Sequence, residues 1–386
     1  MRRAARAAGA LTALAVAGSV LAGCSSSDDE GGATTYLVGA PIVQSGPGAF
    51  AGKPVAQGIE LAVAEINASD FLGDGSEIEL EIVDTAGDPG KAIAAYRQLE
   101  ADDASAVLCC TLGGEAGALS PLLRESTVPG VVTVSILEDL ADPPYLFRPF
   151  EVPSAPGGMY DQFLDTVLPA GEFADAVMVV NDDNDAMVQD AAVYEAGLER
   201  NGVDLAKTIR VGTAETSFTA VATEIASIDP DVVVASTIGS STANLAKALR
   251  SRGYDKPIVS NVGADSRAAY DASDGDLAGT VFPTPFSAAF TVNEEGAEFA
   301  AAYEEEYGAA PDMFAAQGYT AMWLVATAIR DAGSGDPAKV AAALAEVEEQ
   351  VSVYGSLTYA DGQAEVEEPG QYLVWGEGGS LTPWSA

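Results

Sequence analysis

What most limits the fold is the order in which short apolar runs and amphipathic stretches alternate. "TYLVGAPI" (35–42) reads as a strand, and "KPVAQGIELAVAEINA" (53–68) sets Val55, Ile59, Ala62, Val63 and Ile66 near helical spacing. "EIELEIVDTA" (77–86) alternates Ile78, Leu80 and Ile82, as a strand does, and "PGKAIAAYRQLEAD" (89–102) opens a helix with Pro89. "ASAVLCCT" (104–111), "EAGALSPLLRES" (115–126) and "VPGVVTVS" (128–135) continue as strand, helix, strand. The order βαβαβαβ implies a parallel sheet wrapped by helices.

The rhythm restarts downstream. Strands are expected at 175–182, 206–213, 230–237 and 256–263, with helices at 185–202, 218–228 and 242–253 between them. The junctions "FRPFEVPSAPGG" (147–158) and "GTVFPTPFS" (279–287) are rich in proline and aromatic residues, as crossing segments should be. Helices at 295–308, 317–333 and 337–347 should return to cover the first unit. "GSLTYADGQAE" (355–365) and "GQYLVWGEGG" (370–379) should form a terminal strand pair.

The chain opens with Arg2, Arg3 and Arg6, then an apolar run, then Cys24. A basic start, a short apolar core and small residues make residues 1–23 a secretory signal peptide. The run is shorter than the ~20 apolar residues of a membrane span. "LAGC" (21–24) resembles the lipobox of bacterial lipoproteins, which implies cleavage before Cys24 and lipid attached there. The polar, acidic residues that follow make 24–35 a tether. The expected location is extracytoplasmic, anchored to the cell membrane by a lipidated cysteine.

Composition excludes several functions. The 58 Asp and Glu against 18 Lys and Arg give a formal charge of −40, so phosphate backbones are repelled and nucleic acid is a poor partner. There is no histidine, which removes Ser-His-Asp catalysis and His-ligated metal. Beyond Cys24 only Cys109 and Cys110 remain, too few for a structural zinc. The chain also lacks a "G-x-S-x-G" nucleophile elbow. The expectation is a binding protein without enzyme activity, cofactor or metal.

"PIVQSGPGAFAGKPVAQGIELAVAEIN" (41–67) resembles the type I periplasmic binding proteins, in particular the leucine/isoleucine/valine-binding family of ABC transporters. "EIELEIVDTAGDPGKAIAAYRQL" (77–99) and "VYGSLTYADGQAE" (353–365) match the same family, and the likeness covers Tyr36 to Gly379. It implies an α/β fold of two lobes, each a parallel sheet flanked by helices, joined by three crossings. Lobe one would be 36–150 plus 287–352, and lobe two 151–286 plus 353–386. The resemblance also implies a monomer that closes on a small-molecule ligand and delivers it to an ABC permease. A ligand-sensing receptor acting through a membrane partner is the alternative, and a secreted hydrolase a weaker one.

Carried over by position, the lobe-one contacts are Phe50, the loop Cys110, Thr111, Gly113 and Gly114, and then Ser135, Ile136 and Leu137. In lobe two they are Asn181, Asp182 and Asp183, then Ile238, Gly239 and Ser240, then Asn261 and Asp265. Ser45 presents its turn to an anion or simply makes the turn, and Gln317 begins near the cleft. Helix starts and strand ends are suited to this work because their N–H groups are unpaired. Phe50 caps an apolar ligand or packs the lobe. The acids of "NDDND" (181–185) take a ligand cation or cap the next helix.

The chain departs from the family's amino-acid binders. Gly113 and Gly114 stand where serines are common, and Ile136 and Leu137 where a threonine hydroxyl often lies. Asn261 and Val262 fall at or near the usual acid for an α-ammonium, with Asp265 as a substitute. These changes favour a less polar organic acid, amide or aromatic compound, with an amino acid still open. Cys109 and Cys110 are either packed thiols, one to each side of the strand, or a vicinal disulfide. Under either reading Cys110 would offer sulfur surface to the cleft.

Overall fold

The computed structural model describes residues 33–46, 48–137, 139–366 and 370–385. The leader, Cys24 and nearly all of the tether lie outside the described residues. No helix among the described residues is long and apolar enough to cross a membrane.

The first seven expected elements form in order. They are β1 (Thr35–Ile42), α1 (Ala49–Ala68), β2 (Glu77–Asp84), α2 (Pro89–Ala101), β3 (Ala106–Cys109), α3 (Gly113–Glu125) and β4 (Gly130–Val132). A short β5 (Leu146–Phe147) completes a parallel sheet of order β2-β1-β3-β4-β5. Helix α1 begins four residues before the expected Lys53, with Gly48 at its N-cap.

The second unit starts with α4 (Met159–Gly171), which the alternation did not announce. Then come β6 (Asp175–Asn181), α5 (Asp185–Arg200), β7 (Asp204–Val211), α6 (Thr219–Ile228) and β8 (Val232–Ser236). They continue as α7 (Gly239–Ser251), β9 (Ile258–Ser260), α8 (Arg267–Ala272) and β10 (Thr280–Thr284). Five of these strands run parallel as β7-β6-β8-β9-β10, the same order as the first sheet. Much of the expected second junction is therefore strand, because Thr280–Thr284 pairs with β9.

The chain then returns. Helices α9 (Glu294–Tyr307), α10 (Met313–Ala332) and α11 (Pro337–Ala345) pack on the first unit, α10 against α1 and α11 against β3. Helices α1 and α10 meet backbone to backbone. A Cβ on Gly58 would lie 2.1 Å from the Ala315 carbonyl oxygen, and one on Gly318 would lie 2.2 Å from that of Val55.

The terminal strands differ from expectation. β11 (Glu349–Ser352), β12 (Gly355–Ala360) and β13 (Gln363–Val366) form a separate antiparallel sheet. β14 (Gln371–Trp375) and β15 (Leu381–Pro383) instead add two antiparallel strands to the second sheet, beside β10. The first stretch contains its own turn at Asp361-Gly362, both at positive φ, so it folds back on itself and leaves Gln371–Trp375 to cover an open sheet edge.

Alternation places the cores. Ala176, Met178 and Val180 of β6 enter one hydrophobic cluster while Val177 and Val179 enter another. In β3, Ala106 and Leu108 face the first cluster and Val107 and Cys109 a third.

Candidate ligand-binding site

The loops after β1, β3 and β4 lie at one edge of the first sheet. Asp84 shapes the β1–α1 turn by accepting from the backbone N–H groups of Gln44, Ser45 and Ala86 at 2.9, 3.2 and 2.8 Å. A hydrogen bond from the Ser45 side chain, with those backbone donors, holds its carboxyl down at about 2. Ser45 thus directs its donors to Asp84, and the turn it belongs to is exposed. Phe50 is half-buried and meets Phe314 edge-on at 5.7 Å.

Cys109 and Cys110 are joined to each other as a vicinal disulfide. Both are wholly buried, and both belong to the cluster of Leu119, Leu123 and Val132. The expected split of the two sulfurs across the strand does not occur, because Cys110 leaves β3 at φ 72°. Nor does Cys110 offer sulfur surface; it contributes the backbone turn. Its carbonyl accepts from Ser135 N–H at 2.9 Å, which fastens the two loops together.

Two hydroxyls at this edge stand out. Thr111 Oγ1 and Ser135 Oγ are both buried and neither has a hydrogen-bond partner among the described residues. Most buried hydroxyls are satisfied, and an orphan calls for a ligand or water. Gly113 and Gly114 open α3; Gly113 is half-buried with Leu137 over it, and Gly114 is exposed. A Cβ on Gly113 would touch Leu137 at 3.4 Å. Ile136 and Leu137 are half-buried against the disulfide's cluster.

Two residues that sequence reasoning passed over hold these loops. Buried Glu115 accepts from Leu112 N–H at 3.2 Å and from the Thr85 hydroxyl, tying the start of α3 to β2's loop. Burial raises its carboxyl above the usual range, opposed by those hydrogen bonds. The "S/T-x-x-E" cue for such a cap was absent, since Leu112 precedes the helix. Arg148, also buried, donates from Nη1 to Leu137 O at 2.8 Å and Ser135 O at 3.3 Å, and from Nε to Gln363 Oε1 at 2.6 Å. Nothing local in "LFRPF" marks it, because its partners lie up to 215 residues away.

In the second unit Asn181 is buried at the end of β6, and its Oδ1 accepts from Ile238 N–H at 2.9 Å. Asp182 and Asp183 are exposed, and Asp183 accepts from both the N–H and hydroxyl of Thr213. Ile238 and Gly239 are buried where α7 starts, while Ser240 faces solvent. The next residue, Ser241, was missed; its buried Oγ has no partner among the described residues. Asn261 is wholly buried and engaged internally. Its Nδ2 donates to Asp190 Oδ2 at 3.0 Å and its Oδ1 accepts from Gly263 N–H.

Asp190, the partner of Asn261, is wholly buried as well. It also accepts from Tyr160 OH at 3.1 Å, and burial pushes its carboxyl up to about 7 against the pull of Asn261 and Tyr160. Asp265 accepts from Thr284 Oγ1 at 2.5 Å; burial raises it to about 7, and the nearby Asp312 adds to the rise. Asp265 and Asp312 line a cavity of about 410 Å³. Gln317 is buried on α10 with Oε1 unpartnered. No group of three or more acidic, cysteine or histidine side chains suited to a metal occurs among the described residues.

The two units touch across these loops. Gln189 Nε2 on α5 donates to Ile136 O at 3.4 Å and to Ser154 Oγ at 2.8 Å. A larger cavity, about 670 Å³, opens alongside between Arg148, Ser154, Gln189 and Gln363. Ligands of open α/β sheets bind outside the carboxyl ends of the strands, where the loops carrying the orphan hydroxyls lie.

Two α/β units of equal strand order, joined by repeated crossings and meeting at their strand-end loops, define the class of two-lobed small-ligand binding proteins. The chain belongs to the periplasmic binding protein family, whose model matches residues 35–377. The Leu/Ile/Val-binding protein BraC3 of Rhizobium johnstonii is 26% identical over 321 residues, covering 82% of this chain and 85% of its own. The structure of the branched-chain amino acid transporter substrate binding protein LivJ from Streptococcus pneumoniae, in complex with isoleucine, gives a TM-score of 0.81. It is 22% identical, over 90% of this chain and 98% of that one. A solute binding protein of an ABC transporter from Rhodopseudomonas palustris, in complex with 3,4-dihydroxybenzoic acid, gives 0.77 at 19% identity, over 90% and 95% of the two chains. At these identities what the solved structures show of this chain is its fold.

Proposed function

We propose that the chain is an extracytoplasmic solute receptor that closes on a small organic ligand bearing a carboxylate and presents it to an ABC permease. The observation that carries this reading is the pair of buried, unpartnered hydroxyls, Thr111 Oγ1 and Ser135 Oγ, on adjacent loops at the sheet edge. With the N–H groups of Gly113 and Gly114 at the start of α3, they make a donor set for an anion. The isoleucine and 3,4-dihydroxybenzoic acid named in the two solved structures share a carboxyl group, which supports the same use here.

The rest of the ligand would meet Phe50, Ile136, Leu137 and Ile238, an apolar set. Asn261 is committed to Asp190 and Gly263, and Asp265 to Thr284, so the position favoured for an ammonium partner has other work. An apolar or aromatic organic acid or amide therefore fits better than a free amino acid. The lobes would be 36–150 with 287–352, and 151–286 with 353–386, hinged at the crossings. The receptor would act as a monomer, held to the membrane by lipid on Cys24.

A thermal-shift screen of branched-chain amino acids, their amides and substituted benzoates tests this. A true ligand at 100 times its Kd adds about 2.7 kcal/mol of stability. The Thr111→Val and Ser135→Ala variants should bind that ligand at least tenfold more weakly. Parent-like affinity in both would remove the carboxylate reading.

A further inference from the structure

A third cavity has no part in that site. It occupies about 330 Å³ between α1, α9, α10 and β11. Glu65, on its wall, lies about 22 Å along α1 from Phe50, at 1.5 Å per residue. Its lining includes three carboxylates, Glu65, Glu295 and Glu298, and no lysine or arginine. Two aromatic rings, Tyr319 and Trp323, stand 6.2 Å apart on the same wall. Between them in sequence, Thr320 is 2% exposed, and its Oγ1 has no hydrogen-bond partner among the described residues.

An acid-rich surface is general to this chain, so the carboxylates alone mean little. The combination differs. Tyr319 OH donates to Glu65 Oε2 at 2.5 Å, which leaves the other carboxylate oxygen and the Thr320 hydroxyl as acceptors. Burial, and then the charge of Glu298, raise the Glu65 carboxyl, with the Tyr319 bond opposing. Behind this wall Arg330 lies over Phe71, the ring packed edge-on against Trp323. Arg330 is itself paired with Asp331.

We propose that this cavity is a second binding site, for a small organic cation. A compact ammonium would pair with Glu65 and Glu298, donate to Thr320 Oγ1 and lie against the faces of Tyr319 and Trp323. Carboxylates supply the charge complement, and aromatic faces attract a desolvated cation. The volume is at the small end of the range for small-molecule sites, about 300–1,000 Å³.

The test is isothermal titration of the full chain with 1,4-diaminobutane and with choline, each at low and at moderate salt. Saturable binding of one cation per chain is expected for at least one probe, and it should persist at moderate salt. Glu65→Gln and Thr320→Val should each weaken it tenfold or more, whereas Glu125→Gln, which removes an exposed charge elsewhere, should leave it unchanged. The response to a carboxylate ligand in the thermal-shift screen should be the same in all three variants, so the two sites succeed or fail separately. Binding lost equally in Glu125→Gln, or abolished by moderate salt, would mean diffuse attraction to an acidic surface and overturn the proposal. So would the absence of saturable binding by both probes.

Discussion

Arg148→Met removes the cation that holds the Ser135–Leu137 loop while keeping much of the side-chain volume. Arg148 is 3% exposed and gives three hydrogen bonds, to Leu137 O, Ser135 O and Gln363 Oε1. Bonds from a charged donor contribute about 1.5–3 kcal/mol each, so their gross loss is roughly 4–9 kcal/mol. Against this stands the desolvation of the guanidinium, which lowers its pKa to about 10, opposed by Asp139. That fall corresponds to roughly 3 kcal/mol returned when the charge is removed. The net expectation is a loss of about 1–6 kcal/mol, because two loop carbonyls are left without their donor. Urea unfolding followed by circular dichroism should show a lower midpoint at an unchanged slope. Ligand affinity should fall as well, since the loop carries Ser135. A variant within 0.5 kcal/mol of the parent would refute the clamp.

The pH dependence of stability has a definite sign. Asp190 and Asp265 are raised to about 7 by burial, so between the ordinary carboxylate range and pH 7 the folded chain binds protons that the unfolded chain has released. Stability should therefore fall as pH rises from 5 to 8, and Asp190→Asn should flatten that slope in a Tm series; an equal slope in the variant would assign the effect to net charge. Gly58→Ala should cost about 1–3 kcal/mol in chemical denaturation, because its Cβ would meet the Ala315 carbonyl. Thiol counting on denatured, unreduced protein should find Cys109 and Cys110 unreactive; two free thiols would contradict their pairing. Cys24→Ala should release the protein from the membrane fraction, and continued tight association would end the lipid-anchor reading.

Most of the architecture was legible because it rests on local pattern. Periodicity of 3.6 and 2 marked most strands and helices of both units, but the alternation expected to send Cys109 and Cys110 to opposite sides failed where the chain leaves β3, and both lie in one cluster. Helix α4 was overlooked because its flanks are the proline- and glycine-rich junction, which masked a well-formed apolar face at Tyr160, Phe163, Leu164 and Val167. The terminal strands were mispaired because pairing is a choice among partners. "GSLTYADGQAE" could satisfy itself across a tight turn, and only the open edge beside β10 explains where Gln371–Trp375 goes.

The sequence by itself determined the fold class, the two repeats of α/β elements and the loops at which a ligand should be sought, since each follows from spacing along a short stretch of chain. Tertiary structure decided which side chains in those loops have anything left to offer. Ser45, Asp183, Asn261 and Asp265 looked available in the sequence, yet each is taken up by a partner: Asp84, Thr213, Asp190 and Thr284. Thr111, Ser135 and Gln317 look no different in the sequence, yet each holds a buried side-chain oxygen left unmatched among the described residues. A hydrogen bond is satisfied by whatever atom arrives within about 3 Å. For Arg148 and Gln363 that atom comes from 215 residues away, a distance that no local pattern encodes.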